Sequence, residues 1–237
     1  MYKPEKSSAN LHNSSKNIKI CACIDLDAFY AQVDAKRLGI DERVPFCVLH
    51  YRYIASCNYA ARAFGVKKGS SIEEAKRLCP QIVVHETEVF HLEEGLQLQE
   101  TMSEQDARVQ ETYINKLNTD PYKEESEKYH QILKSCFSIV EKASIDEVYI
   151  DLTSEVLDHQ KRNDFEANTW KGKISEKPSD EEILIESEID LLLMIGTQLI
   201  DQARSKVRLE LGYTCSAGIS YNKLLAKLGS NLQKPNG

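Results

Sequence analysis

Two acidic constellations stand at the ends of apolar runs. Ile24-Asp25-Leu26-Asp27 closes the run that starts at Ile18 (IKICACI), and Ala143-Ser144-Ile145-Asp146-Glu147 opens onto Val148-Tyr149-Ile150. Carboxylates together with a main-chain carbonyl are hard oxygen donors. They suit Mg²⁺, which keeps several waters and takes phosphate oxygens as well. Asp25 and Asp27 are two apart, so an extended backbone places both on one face. Either acid taken alone reads equally as a cap for the helix that follows. Asp146 and Glu147 are adjacent, and a regular strand would send them to opposite faces. They can share a site only at a hairpin turn or bulge, which predicts a tight β–β connection there. An exposed turn is the competing reading of that pair. Burying either charge without a partner is costly, so a clustered acidic pair between apolar flanks wants a cation.

Two further patterns suit phosphate. Tyr59-Ala60-Ala61-Arg62 puts a phenol and a guanidinium on one helical face, with Lys67 and Lys68 following. Arginine offers a planar fork to phosphate oxygens, although a tyrosine and an arginine at this spacing also describe ordinary surface. Ser216-Ala217-Gly218-Ile219-Ser220-Tyr221-Asn222-Lys223 leads into a helix bearing Lys227 and ends at Lys234-Pro235-Asn236-Gly237. Those lysines could hold a nucleotide or a nucleic-acid backbone, or simply be solvated. Other candidates reduce to core or surface. Cys21 and Cys23 form a CxC inside an apolar strand with no companion ligands, and the six histidines show no metal-ligand spacing. No glycine loop of the Walker kind and no GxSxG elbow is present.

The elements that must position these residues follow from periodicity. The spacing predicts a strand over 18–24, a helix over 28–38 and a strand over Phe46–Leu49. Ser70 and Ser71 each precede a glutamate by three, a capping-box start for a helix that reaches Leu78 and is limited by Pro80. Tyr129, Ile132, Leu133, Cys136, Phe137 and Val140 predict an amphipathic helix from Glu125 to Val140. A strand at 148–150, a helix over 189–211, a strand over 213–220 and a helix over 222–233 complete the order. In that last helix Leu224, Leu225, Leu228 and Leu232 are expected inside. The class is α+β.

Over 237 residues the net charge is −7, with 41% hydrophobic and 28% charged residues, a globular composition long enough for one large domain or two small ones. No apolar run reaches the roughly 18 residues of a membrane span, and Met1–Asn17 is polar, without the apolar core of a secretory signal. Seven cysteines without CxxC spacing predict reduced thiols. Taken whole, −7 argues against a nucleic-acid binder. Residues 86–128, however, hold twelve acids and four bases (net −8), and residues 155–190 hold eleven and five (net −6). The remaining residues, which carry every motif above, are therefore +7. The two stretches read as acidic excursions on a basic core.

In their order, IDLDAFYAQVD, YAARAFGV, ASIDEVYIDLT and SAGISYNKLLAKL…KPNG resemble the Y-family DNA polymerases. The wording ASIDEVYIDLT and RAFGV is most similar to the eta subgroup of eukaryotes. The resemblance covers residues 18–85, 125–157 and 190–237, and inserts where the acidic excursions fall resemble fungal forms. It implies a ferredoxin-like βαββαβ palm (18–28 and 87–237) carrying a small fingers lobe (29–86), after a disordered polar segment 1–17. It implies template-directed addition of deoxynucleotides to a primer 3′-hydroxyl by two-Mg²⁺ nucleotidyl transfer, with Mn²⁺ as substitute, in bypass of damaged template bases.

By that resemblance the catalytic and metal-binding set is Asp25, the Leu26 carbonyl, Asp146 and Glu147. Triphosphate contacts are the main chain of Phe29 and Tyr30 with Tyr59, Arg62 and Lys234; Tyr30 is the steric gate against ribose, and Phe29 its core support. His50 and Lys68 line the base pocket, where the eta subgroup usually has glutamine and the family often has arginine. Gly69 beside Lys68 leaves that pocket roomy. Implied partners are primer–template DNA, deoxynucleoside triphosphates and a sliding clamp reached through regions outside this chain. The implied location is the nucleus, with no membrane. In the family a thumb and a further DNA-gripping domain follow KPNG, so weak or no processive synthesis is expected of these 237 residues alone. The competing readings are a degenerate polymerase fragment acting as a binding module, and another palm-fold nucleotidyl-transfer enzyme.

Overall fold

The computed structural model describes residues 18–91, 115–166, 169–170, 172, 185 and 187–237. The segment 1–17 and much of both acidic excursions lie outside the described residues. The chain forms two compact units, one of residues up to Leu26 with Tyr129–Gly237, the other of Asp27–Lys128.

The first unit is built on an antiparallel sheet in the order β7-β8-β1-β9. Strand β1 (Cys21–Leu26) lies between β8 (Glu147–Asp151) and β9 (Cys215–Ser220), and β7 (Ile139–Lys142) pairs with β8. As a central strand, β1 is apolar from Cys21 to Ile24 before it reaches Asp25, and Ala22, Cys23 and Ile24 are fully buried. β8 instead alternates: Val148 and Ile150 are buried, while Glu147, Tyr149 and Asp151 are half-buried. Ala143–Asp146 closes the β7–β8 hairpin, where the amides of Ala143 and Ser144 donate to the Glu147 carbonyl at 3.0 and 3.1 Å. The tight connection expected at the acidic pair is present.

Helix α6 (Glu188–Leu211) starts at a capping box of Ser187 and Asp190 and stops at Gly212 in the left-handed region. It buries Leu192, Ile195, Ile200, Ala203, Val207 and Leu211 along one stripe. Helix α5 (Thr153–Arg162) follows β8, and α7 (Lys223–Leu232) follows β9 with Asn222 as its N-cap.

Two expectations are corrected here. Helix α4 spans Asp120–Cys136, with Pro121 in its first turn, and Val140 belongs to β7, paired with Ile150. The apolar spacing through residue 140 fits a helix, but hairpin pairing claims the last residues for the sheet. In α7 the leucines point outward: Leu224, Leu228 and Leu232 are 71, 55 and 61% exposed, and Leu225 is exposed as well. The face against the sheet carries Ala226 and Ser230. The cause is proximity, because a Cβ on Gly218 of β9 would lie 2.0 Å from the Ala226 carbonyl oxygen. Only small residues fit a contact that close.

The second unit holds a sheet in the order β3-β2-β4, from β2 (Phe46–His50), β3 (Tyr53–Cys57) and β4 (Val83–Glu86). β2 runs antiparallel to β3, with a bulge between Val48 and Leu49, and parallel to β4. Helix α1 (Phe29–Leu38) buries Ala31 and Ala35 with Phe46 and Val48, and α2 (Tyr59–Arg62) and α3 (Ile72–Leu78) cover a second cluster around Cys47, Ile54 and Val66. Ser71 caps α3 by accepting from the Glu74 amide, as its capping-box spacing predicts. Strands β5 (Val89–His91) and β6 (Asn115–Leu117) form a short pair. All seven cysteines are free thiols. No helix among the described residues is long and apolar enough to cross a membrane.

Candidate active site

In the first unit the sheet register makes Asp25 and Glu147 direct partners across β1 and β8. Their side chains are 13 and 17% exposed, a pair of like charges on neighbouring strands close to low-dielectric surroundings. Lysines compensate them. Lys227 Nζ lies 2.9 Å from Asp25 Oδ2 and 2.7 Å from Glu147 Oε2, and Lys234 Nζ bonds Asp25 Oδ1. Burial pulls the Lys227 ammonium down, but its hydrogen bonds to Glu147 and Asp25 outweigh that and hold it above the ordinary lysine range. The Cys23 thiol donates to Glu147 Oε1 at 3.5 Å, and burial pushes it up to about 11, so it stays protonated and uncharged beside the pair. Burial likewise raises the Tyr149 phenol to about 12, helped by its hydrogen bond to Glu147.

Asp146 contributes differently. Its carbonyl accepts from the Leu26 amide at 2.9 Å, which ties the hairpin to the end of β1. Its carboxylate accepts from the Ser144 hydroxyl at 2.6 Å. Asp25 and Glu147 are thus brought together, while Asp146 is held beside the same strand ends with its carboxylate turned to Ser144. Among the described residues no group of three or more histidine, cysteine, aspartate or glutamate side chains is arranged to hold a metal ion. The donor chemistry nevertheless fits a hard divalent cation: carboxylates on adjacent strands, a main-chain carbonyl and a protonated thiol that does not compete.

Lys234 belongs to a turn fixed to β9. The Ala217 amide donates to the Gly237 carbonyl at 2.9 Å, and Arg204 donates both to the Cys215 carbonyl and to Asn236 Oδ1 at 3.0 Å. Lys227 had no distinguishing mark in the sequence beyond being one of several lysines on a helix. The small residues Ala226 and Ser230 beside it were the available signal, since they define which face of α7 meets the sheet.

In the second unit, Phe29 is buried at the start of α1 and its ring centroid is 5.8 Å from that of Tyr30. Tyr30 meets the ring of Tyr122 edge-on at 4.6 Å and that of His50 at 5.0 Å. Tyr122 donates to the buried Asp34 at 2.6 Å. This aromatic cluster was not foreseen, because Tyr122 lies 92 residues from Tyr30 in the chain. His50 Nε2 is buried without a hydrogen-bond partner among the described residues, and burial lowers its pKa, which keeps the imidazole neutral. Arg62 stacks on Tyr59 with its guanidinium carbon 4.4 Å from the ring centroid, and its Nε donates to the Cys57 carbonyl at 3.1 Å. Asn58 anchors this helix: its Oδ1 accepts from the Ala61 and Phe46 amides, both at 3.0 Å, and its Nδ2 donates to the Val44 carbonyl at 2.7 Å. Lys68 is exposed on the turn before α3, followed by Gly69 at φ 86.

Known proteins match over most of this chain. Residues 24–231 match the model of the IMS: impB/mucB/samB family. The N-acetyltransferase eso1 of Schizosaccharomyces pombe is 33% identical over 92% of this chain and 27% of its own length. DNA polymerase eta of Saccharomyces cerevisiae is 28% identical over 90% of this chain and 40% of its own length. DNA polymerase iota of Homo sapiens is 29% identical over 92% of this chain and 26% of its own length. The chain therefore spans between about a quarter and two fifths of the length of these curated relatives. With the family match covering residues 24–231, the chain belongs to the impB/mucB/samB family, a Y-family domain.

Proposed function

We propose that this chain is the palm and fingers of a template-directed DNA polymerase that extends a primer past damaged template bases, in the nucleus. The observation that carries the proposal is the Asp25–Glu147 pair at adjacent strand ends with Lys227 and Lys234 upon it, in a chain whose relatives include enzymes named DNA polymerase eta and iota. We read β1, α4, β7, β8, α6 and β9 as the βαββαβ order of a ferredoxin-like palm, in line with the sheet order β7-β8-β1-β9. The fingers reading for residues 29–86 falls within the 27–128 unit.

In this reading Asp25, the Leu26 carbonyl, Asp146 and Glu147 hold Mg²⁺, with Mn²⁺ as substitute. When bound, the metal ions supply charge neutralisation and acidify the primer 3′-hydroxyl. The remaining work falls to side chains. Arg62, preorganised by its stack on Tyr59 and its bond to the Cys57 carbonyl, offers its outer nitrogens to a triphosphate. Lys234 and the main chain at Phe29 and Tyr30 are the further triphosphate contacts that the family resemblance implies. The Tyr30 ring, braced edge-on by Tyr122, fills the space a ribose 2′-hydroxyl would need. His50 and Lys68 face the bases of the nascent pair, with His50 kept neutral by burial. The substrates are primer–template DNA and deoxynucleoside triphosphates, and a sliding clamp is the expected protein partner. The test is primer extension by the full natural polypeptide, with Mg²⁺, on intact and damaged templates. Asp146→Ala should abolish extension on both, and extension equal to that of the unaltered protein overturns the reading.

A further inference from the structure

Two carboxylates that face each other across neighbouring strands repel, and Asp25 and Glu147 are too buried for water to screen them well. The fold answers with an ammonium. Lys227 bridges both carboxylates, at 2.9 and 2.7 Å, whereas Lys234 bonds only Asp25, at its other carboxylate oxygen. The base of the Lys227 side chain is firmly placed. Its carbonyl accepts from Ser230 Oγ at 2.9 Å and from Asn231 Nδ2 at 3.1 Å, and the neighbouring Ala226 sits at the backbone of Gly218 in β9. The head of the side chain, by contrast, is a compact charge on a flexible four-carbon stem, able to swing away where a planar guanidinium fork would be committed.

We propose that Lys227 is the resident counter-cation of the Asp25–Glu147 pair, and that divalent-ion binding there is an exchange in which its ammonium withdraws. The proposal rests on the reading of these two carboxylates as metal ligands and adds the residue that competes with the metal. Two consequences follow. The ion-free protein is stabilised by Lys227, and the apparent affinity for a divalent ion is reduced by the fraction of molecules in which the lysine occupies the pair.

The experiment is a Mn²⁺ titration of the protein without nucleotide or DNA, following unbound Mn²⁺ by electron paramagnetic resonance, with melting in chelator and in Mn²⁺ alongside. Lys227→Met should bind Mn²⁺ about tenfold more tightly, the factor expected if the lysine occupies the pair in about nine molecules of ten. Lys234→Met should change the affinity less. In chelator Lys227→Met should melt below the unaltered protein, and Mn²⁺ should close that gap. Unchanged or weaker Mn²⁺ binding by Lys227→Met overturns the proposal. Asp25→Asn separates the two readings: if it binds Mn²⁺ as well as the unaltered protein does, the carboxylates are not the ligands and both readings fall. Should Lys227→Met not fold, the unaltered protein still decides. Its lysine ammonium ¹⁵N resonances should include one, lost in Lys227→Arg, that shifts on Mg²⁺ addition; no shift at saturating Mg²⁺ sinks the exchange.

Discussion

Replacing Gly218 by alanine adds one methyl group where α7 already stands. The new Cβ would lie 2.0 Å from the Ala226 carbonyl oxygen, 2.3 Å from the Ser230 amide nitrogen and 2.7 Å from the Gly229 carbonyl carbon. All three are backbone atoms of one helix, so no side-chain rotation relieves the overlap. Optimal contact between such atoms is roughly 3.5 Å, so α7 must retreat from β9 by more than about 1 Å. That retreat uncovers Ala226 and Ser230 and stretches both Lys227 bridges to the carboxylates. Overpacking of this kind typically costs about 1–3 kcal/mol, and the rigidity of the obstructing atoms puts Gly218→Ala at about 3 kcal/mol or above. For a chain of this size each kcal/mol lowers the melting temperature by about 2–4 °C, so a drop of roughly 6–12 °C is expected.

Two other glycines provide the controls. A Cβ on Gly229 would meet the Gly218 Cα at 3.1 Å, a tight contact that small adjustments relieve. Gly229→Ala also gains up to about 1 kcal/mol of helix propensity, so its net effect should stay within about 1 kcal/mol of zero. A Cβ on Gly196 of α6 would touch Ile219, Ile20 and Leu152 at 3.4–3.6 Å, ordinary packing distances. Gly196→Ala should therefore stabilise by about 0.5–1 kcal/mol. Urea denaturation followed by circular dichroism measures all three. A Gly218→Ala change below about 0.5 kcal/mol, or one smaller than that of Gly229→Ala, refutes the packing argument.

Tyr122→Phe removes the donor to Asp34, which is fully buried and keeps Arg37 at 3.2 Å. A loss of about 1–3 kcal/mol in urea denaturation is expected, and a loss under about 0.5 kcal/mol would mean the Asp34 charge is satisfied without the phenol. Glu155 gives a pH dependence. Burial raises its pKa, but bonds from the Ser138 amide and from the Ser138 and Ser154 hydroxyls outweigh that and hold it below the ordinary glutamate range. A depressed folded-state value contributes stability above the unfolded pKa of about 4.3, and that stability is lost as pH falls through the folded value. Melting temperatures of Glu155→Gln should accordingly fall less steeply below about pH 4.3 than those of the unaltered protein, and parallel curves would exclude the effect.

What the sequence discloses is what neighbouring residues decide among themselves. The run ending at Asp25, the turn forced by adjacent Asp146 and Glu147, and the Ser71–Glu74 cap are each local, and each appears where its residues place it. β3 and β4 escape because Tyr53–Cys57 and Val83–Glu86 are short, mixed runs whose strand character comes from pairing with β2. Val140 escapes because a helical period and a strand period agree over the few residues before the hairpin.

Helix α7 shows the limit most sharply. Its leucine stripe identifies an apolar face, yet the face that packs is set by how near the backbone of β9 comes, and that is written in Gly218, Ala226 and Ser230 instead. The same closeness selects which lysine meets the carboxylates. Lys223 bonds Glu141, Lys234 bonds Asp25, and Lys227 alone of the three bridges Asp25 and Glu147, residues 202 and 80 positions away in the chain. No spacing rule reaches across such separations. The sheet register brings the two carboxylates together, and the glycine contact sets the lysine over them. Gly218→Ala and Lys227→Met therefore probe one arrangement from its two ends: the first moves the helix that carries the charge, the second removes the charge and leaves the helix in place.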